Sequence, residues 1–214
     1  MSWWRRVCGA QPVVSAADPA VLDRIAEPGV GAARWIRPLD QAEGDAFAAW
    51  AGGPAVSRVT VTAADGPHPA WRELVESAPS GPARSRLETD LALLVPWVAR
   101  QLKTRTLRVA LRTVDTDACS KYHCDWIRLR TIVTYAGPGT EWTVEKPPAG
   151  AADWTPKAGA RCSPGDALAL VGLAFRGDPA RTRPTVWHRS PPIQGSGLRR
   201  LVLTLDDLPT TDRA

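Results

Sequence analysis

Between Ser85 and Leu102 the apolar residues Leu87, Leu91, Leu94, Val98 and Leu102 recur at spacings of four, three, four and four. That spacing puts them in one stripe down a helix and predicts packing against a sheet. Pro96 falls inside the run and is expected to bend the helix without ending it. Three weaker helical segments precede it: Pro19 to Glu27 with Asp18 as its cap, Asp40 to Trp50, and Ala70 to Ser77. Ser57 to Thr62 alternates in the manner of a strand. The first hundred residues thus read as mostly helical.

From Thr106 the period changes to two. Leu107 to Val114, Trp126 to Tyr135, Glu141 to Val144, Ala167 to Val171, Thr185 to His188 and Arg200 to Leu205 read as strands. Gly137-Pro138-Gly139 and Pro164-Gly165-Asp166 mark turns between them, the first of them closing a hairpin. Strands in succession without intervening helices predict an antiparallel sandwich or barrel. The expected fold is α+β, with residues 1–104 a mostly helical part laid on one sheet and 105–214 the β core of a single unit.

Composition changes this picture little. The net charge is +5 and the pI near 9.4, but 23 of the 27 basic residues are arginines scattered along the chain. A nucleic-acid footprint gathers such charge on one face, so the basicity reads as a solvated surface. No apolar run reaches signal-peptide or membrane-span length, and the expectation is a soluble, cytoplasmic protein with no membrane partner. Four cysteines at positions 8, 119, 124 and 162 are too few and too uneven for a disulfide scaffold and are expected to be thiols.

The chemistry concentrates at two points of the β region, Tyr122-His123-Cys124-Asp125 and Val186-Trp187-His188-Arg189-Ser190. Residues two apart in an extended segment point the same way, so His123 and Asp125 can aim an imidazole and a carboxylate at one ion while Cys124 faces away. The stretch up to His188 holds enough strands to bring the chain back to the same place. Two histidines and a carboxylate on one face, with the opposite positions open, form the facial triad of non-haem Fe(II) oxygenases. Arg199 and Arg200 follow at the start of the last strand, where a guanidinium can pair bidentately with a dicarboxylate co-substrate such as 2-oxoglutarate. Arg200 is the preferred candidate, although strand parity alone does not separate the two.

Residues 119–142, reading CSKYHCDWIRLRTIVTYAGPGTEW, with VWHRSPP at 186–192 and RLVLTLD at 200–206, resemble the family known as domain of unknown function 1826. That family has no firmly assigned reaction. The resemblance implies a double-stranded β-helix of the jelly-roll or cupin kind shared with 2-oxoglutarate/Fe(II)-dependent oxygenases, and a bacterial setting in which some members sit among zinc-limitation genes. The chain departs from the broader oxygenase pattern at Val202, where Ser or Thr commonly stands two residues after the final arginine. Thr204 on the same face, and Tyr135 or Arg130 on an earlier strand, are the candidates for a compensating co-substrate contact.

The reading is therefore a hydroxylase-like dioxygenase binding Fe(II) through His123, Asp125 and His188 and 2-oxoglutarate through Arg200, acting on a small molecule or peptide. The first alternative is a non-catalytic, cupin-like protein that uses the same three side chains to buffer Zn(II). A second is a tetrahedral zinc-thiolate site from Cys119, Cys124 and Cys162 with His123, which neighbouring His123 and Cys124 oppose by facing opposite ways on a strand. The bland alternatives are an ordinary His-Asp hydrogen bond and a strand-capping His188. His68, between prolines, reads as a surface residue, and the ten tryptophans as packing groups, with Trp126, Trp142 and Trp187 beside the candidate ligands or on β segments.

Overall fold

The structure, a computed structural model, describes residues 11–63, 70–117, 119–149, 154–175 and 185–208, excepting the side chains of 61–63. The strands are β1 (Val13–Ala16), β2 (Ala32–Trp35), β3 (Ser57–Ala63), β4 (Thr106–Val114), β5 (Leu129–Ala136), β6 (Glu141–Thr143), β7 (Ala160–Arg161), β8 (Ala167–Val171), β9 (Trp187–Arg189) and β10 (Arg200–Asp206). The helices are a 3₁₀ helix (Pro19–Ala26), α1 (Gln41–Gly52), α2 (Trp71–Glu76) and α3 (Pro82–Leu102). Cys8 and His68 lie outside the described residues.

Seven strands form one sheet in the order β1-β2-β8-β5-β10-β4-β3, and three form a second in the order β7-β6-β9. The large sheet is antiparallel except for the β1–β2 pair at its edge. Among the described residues the two sheets do not join into a closed barrel. The expected barrel is in this respect corrected to a sheet-rich α+β fold of two unequal sheets. In the first hundred residues β3 falls where the alternation of Ser57 to Thr62 puts it, and β1 and β2 are two strands that the sequence reading did not place.

Helix α3 forms where the stripe predicts. Leu87, Leu91, Leu94, Val98 and Leu102 are all buried, and Pro96 lies inside the helix without ending it. Helix α1 starts at Asp40, whose carboxylate accepts from Glu43 N while the Glu43 side chain accepts from Asp40 N. This reciprocal capping satisfies two donors the helix cannot pair internally. Both helices cover one face of the large sheet around Phe47, Val133, Leu203 and Leu205. Asp90 on α3 is fully buried there, with Arg37, Arg86 and the Tyr135 hydroxyl (2.7 Å) on its carboxylate. A buried carboxylate is tolerated only when it is paired and hydrogen-bonded in this way.

The opposite face carries a smaller apolar cluster of Ala32, Ile132, Cys162, Leu168, Leu170 and Val186. The small sheet belongs to this side, with Trp142 packed against the cluster. Side chains alternating along β4, β5 and β10 therefore divide between a helix-covered core and the space on the other face, and the functional groups fall on the second. No helix among the described residues is long and apolar enough to cross a membrane.

Candidate metal centre and co-substrate cavity

His123 and His188, 65 positions apart, are joined by backbone. His123 N donates to His188 O at 3.0 Å and His188 N to His123 O at 2.9 Å, an antiparallel bridge that extends the small sheet beyond β9. Ser190 N donates to Cys119 O at 2.9 Å and continues the pairing. The bridge sets the imidazole rings 4.6 Å apart between centroids. Asp125 lies between them, with Oδ1 3.5 Å from His123 Nε2 and Oδ2 3.1 Å from His188 Nε2. One ligand atom from each of the three residues lies within 4.8 Å of the others.

The surroundings fix each group. His123 Nδ1 lies 2.8 Å from the Lys121 carbonyl, which can only accept, so Nδ1 carries the proton and Nε2 turns a lone pair toward Asp125. This carbonyl-to-imidazole arrangement is the outer support typical of metal-ligating histidines. His188 is 3% exposed, and neither ring nitrogen makes a hydrogen bond to any described residue, although Asp125 Oδ2 lies 3.1 Å from Nε2. Such an orphaned imidazole is costly unless something outside the protein satisfies it. The three residues thus fit a divalent cation by donor chemistry and by an unmet bonding requirement.

Electrostatics agree with the geometry. Burial pushes the Asp125 carboxyl up, but the flanking imidazoles and Arg130 outweigh it and hold it well below the usual carboxylate range. The Asp125 carboxylate, which can accept from Nε2 once the ring is protonated, raises His123, whereas burial lowers His188. Arg130 Nη1 donates to Asp125 Oδ2 at 2.8 Å, and its other nitrogens hold Asp206 at 2.7 and 3.0 Å. Arg108 reaches the same Asp206 at 3.5 Å. Arg130, expected among the co-substrate contacts, therefore spends its donors orienting Asp125. Behind it, Leu173 N donates to Asp125 O at 2.9 Å. The chain passes close enough that a Cβ on Gly172 would fall 2.1 Å from the Ile127 carbonyl.

A cavity of about 250 Å³ opens beside the two histidines, with Arg200, Val202 and Thr204 of β10 along its wall. Arg200 is 2% exposed. Its Nε donates to Pro138 O at 2.7 Å, Nη1 to Ser190 Oγ at 2.7 Å, and Nη2 to the Thr134 and Thr140 hydroxyls at 3.3 and 3.4 Å. No carboxylate among the described residues pairs with it, and burial lowers its pKa to about 10. The Gly137-Pro138-Gly139 turn makes this possible: Gly137 adopts φ +73°, and a Cβ there would lie 2.4 Å from Arg199 O and 3.1 Å from Arg200 Cγ. Arg199 points away, donating to Gly53 O at 2.7 Å.

The sequence-predicted groups are not all brought together. Thr204 lines the cavity, but Tyr135 faces the helices, stacked on Phe47 with its hydroxyl on Asp90, because positions 130 and 135 lie on opposite faces of β5. Its expected co-substrate contact is corrected accordingly. The zinc-thiolate alternative is not assembled: Cys124 Sγ turns to Val171 O at 3.9 Å, and Cys162 is buried in the smaller cluster. Ser190, Thr134, Thr140 and Asp206 were not singled out from sequence. For Thr134, four residues from Arg130 on β5, and Asp206, two from Thr204 on β10, strand parity was the available signal; Ser190 follows His188 by two, and Thr140 carried no such signal.

The sequence profile of the family described as "Protein of unknown function (DUF1826)" matches residues 16–206. No curated protein matches the chain in sequence. Among solved structures, the chain is similar to a dioxygenase for auxin oxidation from rice at 15% identity and a TM-score of 0.52, covering 93% of this chain and 83% of that one. It is also similar to a Pseudomonas putida prolyl-4-hydroxylase (13% identity, TM-score 0.44, 88% and 98% covered) and to JOX2 in complex with 2OG, Fe and JA (14%, 0.48, 94% and 75%). At these identities the likeness to the rice protein is one of fold.

Proposed function

We propose, from the premise that the chain belongs to the DUF1826 family, that it is an Fe(II)- and 2-oxoglutarate-dependent oxygenase acting on a small molecule or a peptide side chain. The observation that carries this reading is a guanidinium buried, among the described residues, with only neutral acceptors, in the same cavity as a His-Asp-His cluster whose deepest imidazole makes no hydrogen bond to them. A metal-binding protein has use for the cluster alone. A dicarboxylate co-substrate, chelating at one end and charged at the other, explains both. The rice protein that shares this fold is described as a dioxygenase, which supports the same reading. On this reading the two sheets are the unequal walls of an open double-stranded β-helix.

His123, Asp125 and His188 would hold the ion, and bound Fe(II) with 2-oxoglutarate would supply the oxidant for a substrate C–H bond. The chain's own residues do the rest. Lys121 O fixes the His123 tautomer, and Arg130, itself clamped by Asp206, keeps Asp125 ionised and oriented. Arg200 would pair with the distal carboxylate, its fork held toward the cavity by Pro138 O and Ser190 Oγ. Ile132, Val202 and Ala110 line the cavity with apolar surface and limit water there. Thr204, on the same face as Arg200, would add the hydroxyl contact that Val202 cannot.

The test is turnover without a second substrate. Protein supplied with Fe(II), ascorbate, O₂ and 2-oxoglutarate is expected to form succinate slowly, and His188→Ala to form none above background. Equal succinate from wild type and His188→Ala overturns the proposal.

A further inference from the structure

Among the described residues the cavity wall includes four arginines, Arg112, Arg130, Arg189 and Arg200, and no carboxylate side chain. Two of the four are already neutralised, Arg130 by Asp125 and Asp206 and Arg189 by Glu141 at 2.7 Å. Arg200 is the group assigned above to the co-substrate. Arg112 remains. It stands on β4 directly across from Val202 of β10, on the face of the sheet that lines the cavity. It is solvent-exposed, and its guanidinium makes no hydrogen bond or ion pair with any described residue.

We infer that Arg112 receives a carboxylate of the substrate itself, so that this protein oxidises an organic acid with an apolar body. The inference rests on the oxygenase reading of the cavity. 2-Oxoglutarate has two carboxylates, and that reading uses one at the ion and the other at Arg200. Among the described residues of the cavity, a further anion has only Arg112 to meet it. Ala110 and Val114 flank Arg112 at two-residue spacing on β4, Val202 lies across from it on β10, and Ile132 lines the cavity from β5 beyond, so an apolar body is contacted on several sides. A neutral substrate of the same shape would leave the guanidinium facing water and gain nothing from it, whereas an acid gains a forked, charge-assisted pair. The uncompensated positive charge also draws anions toward the opening and disfavours cationic competitors.

The test uses phenylacetate and phenylacetamide, one shape with and without charge, titrated by saturation-transfer NMR. The protein carries Zn(II) in place of Fe(II), with saturating 2-oxoglutarate so that the Arg200 position is filled. Wild type is expected to bind the acid about fivefold more tightly than the amide, the upper range for a solvent-exposed ion pair, with the preference shrinking at high salt. Arg112→Gln should lose the preference and Arg112→Lys should keep part of it. 2-Oxoglutarate affinity, titrated separately on the same samples, should be the same in all three. An Arg112→Gln protein that still prefers the acid, or a wild type that binds 2-oxoglutarate and shows no preference, overturns the assignment of Arg112. A wild type that fails to bind 2-oxoglutarate at all overturns the oxygenase reading itself, and is recognised by that separate titration.

Discussion

Replacing Arg200 by Ala probes the feature that separates an oxygenase from a metal buffer. The side chain is 2% exposed and charged, and its donors reach only a carbonyl and three hydroxyls. In that setting a carboxylate partner is little screened, and deleting one member of a desolvated, hydrogen-bonded pair costs roughly 2 to 4 kcal/mol. The corresponding loss of 2-oxoglutarate affinity is roughly 30- to 700-fold. The same quantity is visible in thermal unfolding. At a ligand concentration of about 100 times Kd the bound form gains about 2.7 kcal/mol. For a chain of this size that raises Tm by roughly 5 to 10 °C, and Arg200→Ala should keep about a third of it or less at the same concentration. Arg199→Ala is the control, since its side chain is directed to Gly53 O. Calorimetric titration of 2-oxoglutarate into the anaerobic metal-loaded proteins measures both. If Arg200→Ala binds 2-oxoglutarate as wild type does, or if Arg199→Ala is the defective variant, the assignment of the guanidinium is refuted.

Asp125→Glu should still bind metal but lose succinate formation, because one more methylene moves the carboxylate out of the position Arg130 and the two imidazoles define, and unchanged turnover would exclude Asp125 as a ligand. Tyr135→Phe should leave 2-oxoglutarate affinity unchanged while lowering unfolding free energy by about 1.5 to 3 kcal/mol, the scale of a hydrogen bond to a charged group, here Asp90. A weakened affinity in that variant would put Tyr135 back in the site. Metal affinity should fall as pH drops through the raised pKa of His123, so the loss begins above the ordinary imidazole value of about 6.5, with one proton released per ion bound near that pH. His188 and Asp125, both lowered, stay deprotonated through that window and add nothing to it. Proton release measured calorimetrically in buffers of different ionisation enthalpy checks the sign.

What could be read from sequence follows the range of the interactions involved. The α3 stripe and the α1 capping box are local, and they appear where the spacing puts them. His123 and Asp125 share a side because an extended chain has period two, and that rule holds across Cys124. The same rule, applied to β5, separates Arg130 from Tyr135, and naming both for one site went against it. Strands β1 and β2 are four residues each and carry no clear alternation, so only the pairing of β2 with β8, and of β1 with β2, makes them strands. Barrel closure was illegible for the same reason: it depends on contacts between distant segments, and β6, β7 and β9 are too short to announce which sheet they join. The role of Arg130 needed Asp206, 76 positions away, and the separation of Arg200 from Arg199 needed the carbonyl of Pro138.

The central claim is that one cavity holds Fe(II) on His123, Asp125 and His188 together with 2-oxoglutarate reaching Arg200. Adding 2-oxoglutarate to the anaerobic Fe(II) protein tests it most directly, through the visible charge-transfer absorption of a 2-oxo acid chelated to Fe(II). Wild type should develop a band that saturates at one equivalent, that is absent in His188→Ala, and that in Arg200→Ala appears only at much higher 2-oxoglutarate. A wild-type protein that binds a full equivalent of Fe(II) and develops no such band would contradict it and leave the three ligands to a metal-buffering role.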